Sequence, residues 1–351
     1  MTADRPTSNL LGSCRPVRVL HVTARYESGV RTVIDTIPDL TPAIDHYLLY
    51  DGPYDVPGTF LAARHLGVGW RGAARNLATA LRDWKPDLVH AHSSHAGVLA
   101  RVLPHHVPVI YQPHCFAFSD PARPKTIRAL LRAAEAVLAR RTSTVAAVSP
   151  HEAALGRSLA PGRLAVVEVP NWTPLREATV PPDRLARRVA MAGRIAPQKD
   201  PDFFRETAIA ARGLDDSLDF IWVGDGDQRA RRALEEAGVK VTGWLDGPAV
   251  AKELAGCSAY CHTARYEGFP VSVLDAARLG LPIAARSIGA FEGLPVAVFQ
   301  TPKELAAHVV DLHETERRYE EERRSSARIL DHMNRSVATQ ALEALYRSGR
   351  G

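Results

Sequence analysis

Short apolar runs, many rich in β-branched residues, alternate along this chain with longer stretches of helical spacing, and no other feature limits its fold as much. "VRVLHVT" (17–23), "PDLVHAHS" (86–93), "PVIYQPH" (108–114) and "STVAAVS" (143–149) read as strands bounded by Pro and polar residues. Between them, "AARNLATALRDW" and "KTIRALLRAAEAVLARR" carry helical periodicity. The alternation stops around "VPNWTPLREATVPPDR", where Pro170, Pro174, Pro181 and Pro182 forbid continued regular structure. It resumes with "RVAMAGR", "LDFIWVGDGD", "KVTGW", "AYCHTA", "PIAAR" and "AVFQ".

Strands alternating with helices make βαβ units and a mainly parallel sheet. The expected architecture is therefore α/β, with two Rossmann-like domains facing each other across a cleft. Their expected limits are 1–170 and 188–325, with a Pro-rich linker at 171–187. C-terminal helices at 326–351 follow, the last packing back on the first domain. A chain of 351 residues suits two cores of about 150 residues each. In open parallel sheets, ligands sit at the carboxyl ends of the strands, so the cleft is the expected site.

The net charge of +5 suits anionic small ligands or an anionic membrane surface. No nucleic-acid partner is expected, because aromatic and basic residues do not interleave in the manner of single-strand binders. The N-terminal "MTADRPTSNLLGSCRPVRVLHV" has no apolar core of signal-peptide length, and no run reaches the ~18 apolar residues that span a bilayer. Cys14, Cys115, Cys257 and Cys261 form no paired CxxC units and read as free thiols of a reducing cytoplasm. A cytoplasmic location is expected, with peripheral contact at the inner face of the membrane as a further option.

Two stretches carry chemistry. In "RYEGFPVSVLDAARLGLP" (265–282), Pro270 suits a first helical turn and Gly280 with Pro282 marks the helix end. The free N–H groups around Phe269 to Ser272 make a seat for a phosphate. Glu267 lies on the loop entering that seat, and Asp275 lies over one turn inside the helix. One carboxylate suits the hydroxyls of a sugar and the other those of a ribose. The plain alternative is an ordinary capped helix with solvated acids. In "AGRIAPQKD" (192–200), Arg194 and Lys199 sit five residues apart on a loop before a helix. Two fixed cations beside a helix-terminus seat suit a departing diphosphate, whose charge grows as its bond to the sugar breaks.

"GRIAPQKD", "VGDGD" and "EGFPVSVLDAARLGLP", in this order and spacing, resemble the nucleotide-sugar half of the retaining glycosyltransferases of family 4, the glycosyl transferases group 1, whose fold is GT-B. The resemblance implies transfer of a sugar from a nucleoside diphosphate sugar to a hydroxyl acceptor: a glycan, a lipid-linked glycan or a small molecule. Polysaccharide or glycoconjugate biosynthesis is the first expectation and a secondary metabolite the second. The nucleotide sugar enters as substrate, and no cofactor is implied. By the same resemblance, Arg194 and Lys199 stabilise the leaving diphosphate and Glu267 orients the donor sugar. Gly193, Gly224, Gly268, Phe269, Pro270 and Val271 line the donor, and Asp275 holds the ribose. The family has a glutamate at this last position, so the ribose contact of the shorter Asp275 becomes looser or water-mediated.

The first half adds weaker matches. "SGVRTVID" stands where the family often has a paired-glycine loop; Gly29 is kept and Ser28 replaces the other glycine. "VHAHSSHAG" and "YQPHCFAF" resemble segments of polysaccharide-building members. That likeness implies that His114 faces the transferred sugar and the β-phosphate, and that His92 helps shape the acceptor side.

Other readings of the same residues carry less. His90, His92, His95, His105, His106 and His114 fall in one region, and His90 and His92 face the same way in a strand. No cysteine or acid sits at ligand spacing nearby, so no metal is expected. "DGD" (225–227) imitates a metal-binding acid pair but also fits a strand-to-helix turn with capping acids. Ser149 to Glu152 is a capping box rather than a nucleophile with its base. The helix "KTIRALLRAAEAVLARR" has an apolar face (Ile127, Leu130, Leu131, Ala134, Val137, Leu138) and basic flanks (Lys125, Arg128, Arg132, Arg140, Arg141). It suits either an anionic membrane or its own sheet. A GT-B sugar-nucleotide epimerase and an idle GT-B binding protein are the alternatives to a transferase.

Overall fold

A computed structural model of the chain describes residues 15–175 and 182–348. Cys14, Pro181 and the middle of the expected linker lie outside the described residues. The first sheet contains β1 (Arg18–Thr23), β2 (Asp45–Tyr50), β3 (Ala62–His65), β4 (Leu88–His92), β5 (Val109–Gln112), β6 (Thr144–Ala147) and β7 (Ala165–Glu168), in spatial order β3-β2-β1-β4-β5-β6-β7. The second contains β8 (Arg188–Ala192), β9 (Asp219–Val223), β10 (Lys240–Val241), β11 (Ala259–His262), β12 (Ile283–Arg286) and β13 (Ala297–Phe299), in order β10-β9-β8-β11-β12-β13. The paired strands run parallel in both sheets. The α/β alternation thus resolves into two Rossmann-like sheets covered by helices.

Burial explains why the central strands read as near-continuous apolar runs. β4 and β11 are buried along their whole length, as a strand covered on both faces must be. The edge strand β3 alternates between half-buried and exposed residues. In the second sheet, Trp222, Tyr260, Phe204 and Met191 share one core. The last helix, Arg335–Ser348, places Ala338, Leu342, Leu345 and Tyr346 in one core with Val19, Leu88 and Ile110 of the first sheet, Ile37 of the helix Ser28–Leu40 and Trp172. Each buried leucine there contributes about 1.5–3 kcal/mol of hydrophobic stabilisation, so the C-terminal helix is part of the first core.

Strand order reverses between β1 and β4 in the first sheet and between β8 and β11 in the second. These are the switch points at which open α/β sheets leave a crevice outside the carboxyl ends of their strands. β4 ends at His92, the segment leaving β1 carries Gly29, and those leaving β8 and β11 carry Arg194 and Glu267.

Candidate functional site

The second half brings a cation and a carboxylate together. Lys199 Nζ donates to Glu267 Oε1 at 2.5 Å, while Gln198 Nε2 donates to Glu267 Oε2 at 3.3 Å and to the Tyr266 carbonyl at 3.2 Å. His262 Nε2 lies 3.6 Å from Glu267 Oε1. Burial pushes the Glu267 carboxyl up, but the Lys199 charge and the His262 contact outweigh it and hold the group at about 2. Glu267 is therefore ionised and fixed in place, an acceptor able to orient hydroxyls. Lys199 folds against Gly193: a Cβ added at Gly193 would lie 3.2 Å from Lys199 Cε.

Arg194 reaches across to the first half, donating from Nη1 to Glu27 Oε1 at 3.0 Å. Glu27 occupies the N-cap position of the helix Ser28–Leu40 without capping it through its side chain. The helix Val271–Arg278 likewise starts at Pro270 with no side-chain cap. These two N-termini approach each other, since a Cβ on Gly29 would meet Val271 Cγ2 at 3.9 Å. Two facing helix N-termini flanked by Arg194 and Lys199 concentrate positive potential in one place, which favours an anion. Sequence reading missed Glu27, because nothing along the chain links it to Arg194, 167 residues away.

The loop Gly268–Pro270 is clasped from the first half. Ser149 Oγ donates to the Gly268 carbonyl at 2.8 Å, and Asn171 Nδ2 donates to the Phe269 carbonyl at 2.7 Å. Ser149 also caps the helix Pro150–Arg157, accepting from Glu152 N–H. The Glu152 carboxylate accepts from Val148 N–H rather than from the N-cap residue, so only half of the expected capping box forms.

Asp275 lies one turn inside its helix and accepts from Thr173 Oγ1 at 2.5 Å. Burial raises its carboxyl from 3.8 to about 6, against the opposing effect of that hydrogen bond. Because the folded value is raised, this carboxyl costs stability that is fully expressed above about pH 6 and absent below the unfolded value. If its ionised form accepts ribose hydroxyls, the KM for the donor rises as pH falls through about 6. Asp275→Asn should abolish that inflection, and KM measured between about pH 5 and pH 8 checks it. A pH-independent wild-type KM would remove the ribose role.

The structure bears on three further expected site residues. Gly224 packs on Gly193: a Cβ there would lie 2.2 Å from the Gly193 carbonyl, so only a glycine lets the loops after β8 and β9 pass each other. His92 cannot shape an acceptor surface, because it is fully buried and both ring nitrogens are engaged, by His21 and by His114. His114 is held by burial at about 3, so any contact it makes with a sugar or phosphate is that of a neutral ring. In "DGD", Asp225 pairs with Arg231 at 2.8 Å and Asp227 caps the helix Gln228–Glu236.

Comparison with known proteins bears on this arrangement. Residues 16–172 match the model of the glycosyl transferase 4-like domain, and residues 186–315 match that of the glycosyl transferases group 1. The chain is 25% identical over 244 residues to the UDP-Gal:alpha-D-GlcNAc-diphosphoundecaprenol alpha-1,3-galactosyltransferase of Escherichia coli, covering 61% of this chain and 61% of that protein. It is 30% identical over 234 residues to a GDP-mannose-dependent alpha-mannosyltransferase of Mycobacterium tuberculosis (strain CDC 1551 / Oshkosh), covering 61% of this chain and 58% of that protein. The matches therefore span less than two thirds of either transferase. In fold, the structure superposes on that of HepE from Anabaena in complex with UDP and glucose with a TM-score of 0.74, at 16% identity over 95% of this chain and 100% of the other.

Proposed function

Because this chain belongs to the glycosyl transferases group 1 and has their GT-B fold, we propose that it moves a glycosyl group from a nucleoside diphosphate sugar to a hydroxyl of a glycan or glycoconjugate, with retention of anomeric configuration. The observation that carries this reading is the convergence of Arg194 and Lys199 with two uncapped helix N-termini at facing switch points. A diphosphate placed there is stabilised more strongly as its bond to the sugar lengthens, which is the differential binding that catalysis needs. Glu267, ionised and pinned by Lys199, orients the donor hydroxyls, and Asp275 takes the ribose.

The reaction runs without a metal ion. Arg194 and Lys199 supply the positive charge that a metal would otherwise bring, and the Asp225 and Asp227 carboxylates are already engaged. Turnover should be unchanged by chelator. The reading is tested by incubating the protein with UDP- and GDP-sugars and a hydroxyl acceptor, following nucleoside diphosphate release and the anomeric proton of the product. Release that depends on acceptor, with the donor's configuration kept, supports it. An isomerised nucleotide sugar formed without acceptor would mark an epimerase instead.

The acceptor side extends to a membrane surface. No helix of the described residues is long and apolar enough to cross a bilayer. The helix Lys125–Leu138, however, leaves Ile127, Leu130 and Val137 exposed at 42%, 66% and 59%, while Glu135 on another face is buried against Arg101 and Tyr111. An apolar stripe flanked by exposed Lys125, Arg132, Arg140 and Arg141 suits the headgroup region of an anionic bilayer. Leu130→Glu should lower partition onto anionic vesicles about tenfold and leave turnover of a water-soluble acceptor unchanged. Equal sedimentation of both proteins with such vesicles would contradict this.

A further inference from the structure

Five histidines lie beside one another under the candidate site, and four of them are joined end to end. His46 Nδ1 is 2.9 Å from His21 Nε2, His21 Nδ1 is 3.0 Å from His92 Nε2, and His92 Nδ1 is 3.0 Å from His114 Nε2. His21, His46 and His92 are at most 2% exposed. Imidazoles in such a place must satisfy their nitrogens from each other, because water does not reach them. Burial also holds all four rings in the neutral form.

A neutral ring carries one N–H and one lone pair, so each contact in the chain holds a single proton, and orienting one ring orients the rest. The far end sets the direction. Thr41 Oγ1 donates to the Ile37 carbonyl at 3.0 Å and therefore accepts from His46 Nε2 at 2.9 Å. The Thr41 carbonyl, which can only accept, faces the same nitrogen at 3.4 Å. His46 thus carries its proton on Nε2 and accepts at Nδ1 from His21 Nε2–H. The order repeats through His92 to His114, whose proton points back at His92. His114 Nδ1 is left as a bare lone pair with no hydrogen-bond partner among the described residues, and it is not one of the sealed, unpartnered buried atoms. His114 holds a left-handed backbone, φ 54°, and its carbonyl lies against Gly268 of the opposite half. A residue other than glycine in that conformation marks a place where the surroundings impose the geometry.

We infer that Thr41, His46, His21 and His92 are positioning residues that fix His114 in its Nε2–H tautomer, so that the cleft presents a hydrogen-bond acceptor there and selects a donor sugar with a free hydroxyl at that point. The inference rests on the transferase reading for its ligand but not for the tautomer. It also separates the roles of the site: a diphosphate oxygen, itself only an acceptor, finds no partner at His114 Nδ1 and belongs with Arg194 and Lys199.

The competing use of the cluster is a metal site, since one nitrogen each from His21, His90 and His92 lies within 4.8 Å of the others. Among the described residues no carboxylate joins that group, and an ion would have to displace the proton shared by His21 and His92. A buried dication with three neutral ligands and no counter-charge is strongly disfavoured. His90 instead bonds Tyr346 through Nδ1 at 2.8 Å.

The test uses the full chain labelled with ¹⁵N-histidine. At neutral pH, the nitrogen shifts of His46, His21, His92 and His114 should all report a protonated Nε2 and a bare Nδ1, with no substrate added. A protonated Nδ1 at His114, an imidazolium there, or stoichiometric zinc taken up by the rings would overturn the inference. The second arm compares the nucleotide sugar that the wild type turns over with its deoxyfluoro analogues, whose fluorine cannot donate. One of them should lose about tenfold or more in kcat/KM, the effect of one hydrogen bond left unmade. In His21→Gln and Thr41→Val that penalty should shrink as His114 populates the other tautomer. A penalty unchanged in both variants would sink the positioning role. A wild type that turns over no nucleotide sugar would refute the transferase reading while leaving the tautomer result standing.

Discussion

Lys199→Ala should lower kcat by about 10²–10³-fold, the range expected when one preorganised donor is removed from a charge-stabilising site. Lys199 is placed for this by two contacts: its stem lies on Gly193, and its ammonium bonds Glu267 at 2.5 Å. The substitution acts twice. It removes a cation from the leaving diphosphate, and it leaves the Glu267 carboxylate without the partner that keeps its proton affinity low. The second effect costs about 1–3 kcal/mol of stability, the cost of stranding a largely buried polar group. A thermal melt will separate the two losses, because a folded Lys199→Ala protein with near-normal kcat would remove Lys199 from the chemistry. The sign with pH follows from the lowered carboxyl of Glu267. The stability that the pair provides is fully present above the usual carboxylate value and is lost only as pH falls toward about 2, so wild type and variant should differ in stability throughout the neutral range.

Gly268→Ala should be nearly as damaging, for a reason of space alone. A Cβ there would lie 2.6 Å from the His114 carbonyl oxygen and 2.9 Å from Val148 Cγ2. The first of these neighbours is backbone and has no rotamer to yield. The loop must therefore move off the first half, which breaks the bonds from Ser149 to the Gly268 carbonyl and from Asn171 to the Phe269 carbonyl. Glu267, one residue away, moves with it. A displacement of about 1 Å in a positioning group costs on the order of 10²-fold in rate, and that is the expected fall in kcat. Affinity for a free nucleoside diphosphate should fall only in part, because the N-terminus of the Val271–Arg278 helix shifts while Arg194 and Lys199, on a different loop, stay in place. A kcat close to that of the wild type would show instead that the loop can yield without disturbing Glu267.

The contrast between these residues shows what a linear chain reveals. Glu267, Lys199 and the Pro270 helix start were readable because each belongs to a short local pattern: a loop after a strand, a Pro at a first turn, two cations five residues apart. The strand alternation exposed both sheets for the same reason. Glu27, Thr173, Asn171 and Ser149 act at the site through contacts that cross from one half to the other. Their sequence surroundings give a helix cap or a Pro-rich turn and nothing more. His21 and His46 were hidden differently. "VRVLHVT" scores as a buried strand whether or not one of its inward residues is an imidazole, and only the pairing of β1 with β2 and β4 sets that ring between His46 and His92. The packing of Gly224 on the Gly193 carbonyl was likewise invisible along the chain, because it joins two loops that leave different strands.

Calorimetric titration of a nucleoside diphosphate and of its parent nucleoside, into the wild type and into the Arg194→Ala/Lys199→Ala double variant, tests the diphosphate seat most directly. The wild type should bind the diphosphate at least about 100-fold more tightly than the nucleoside, a difference of roughly 2.7 kcal/mol, and the double variant should lose most of that gap. Equal affinity for the two ligands, or a gap unchanged in the double variant, would contradict the seat formed by Arg194, Lys199 and the two helix N-termini.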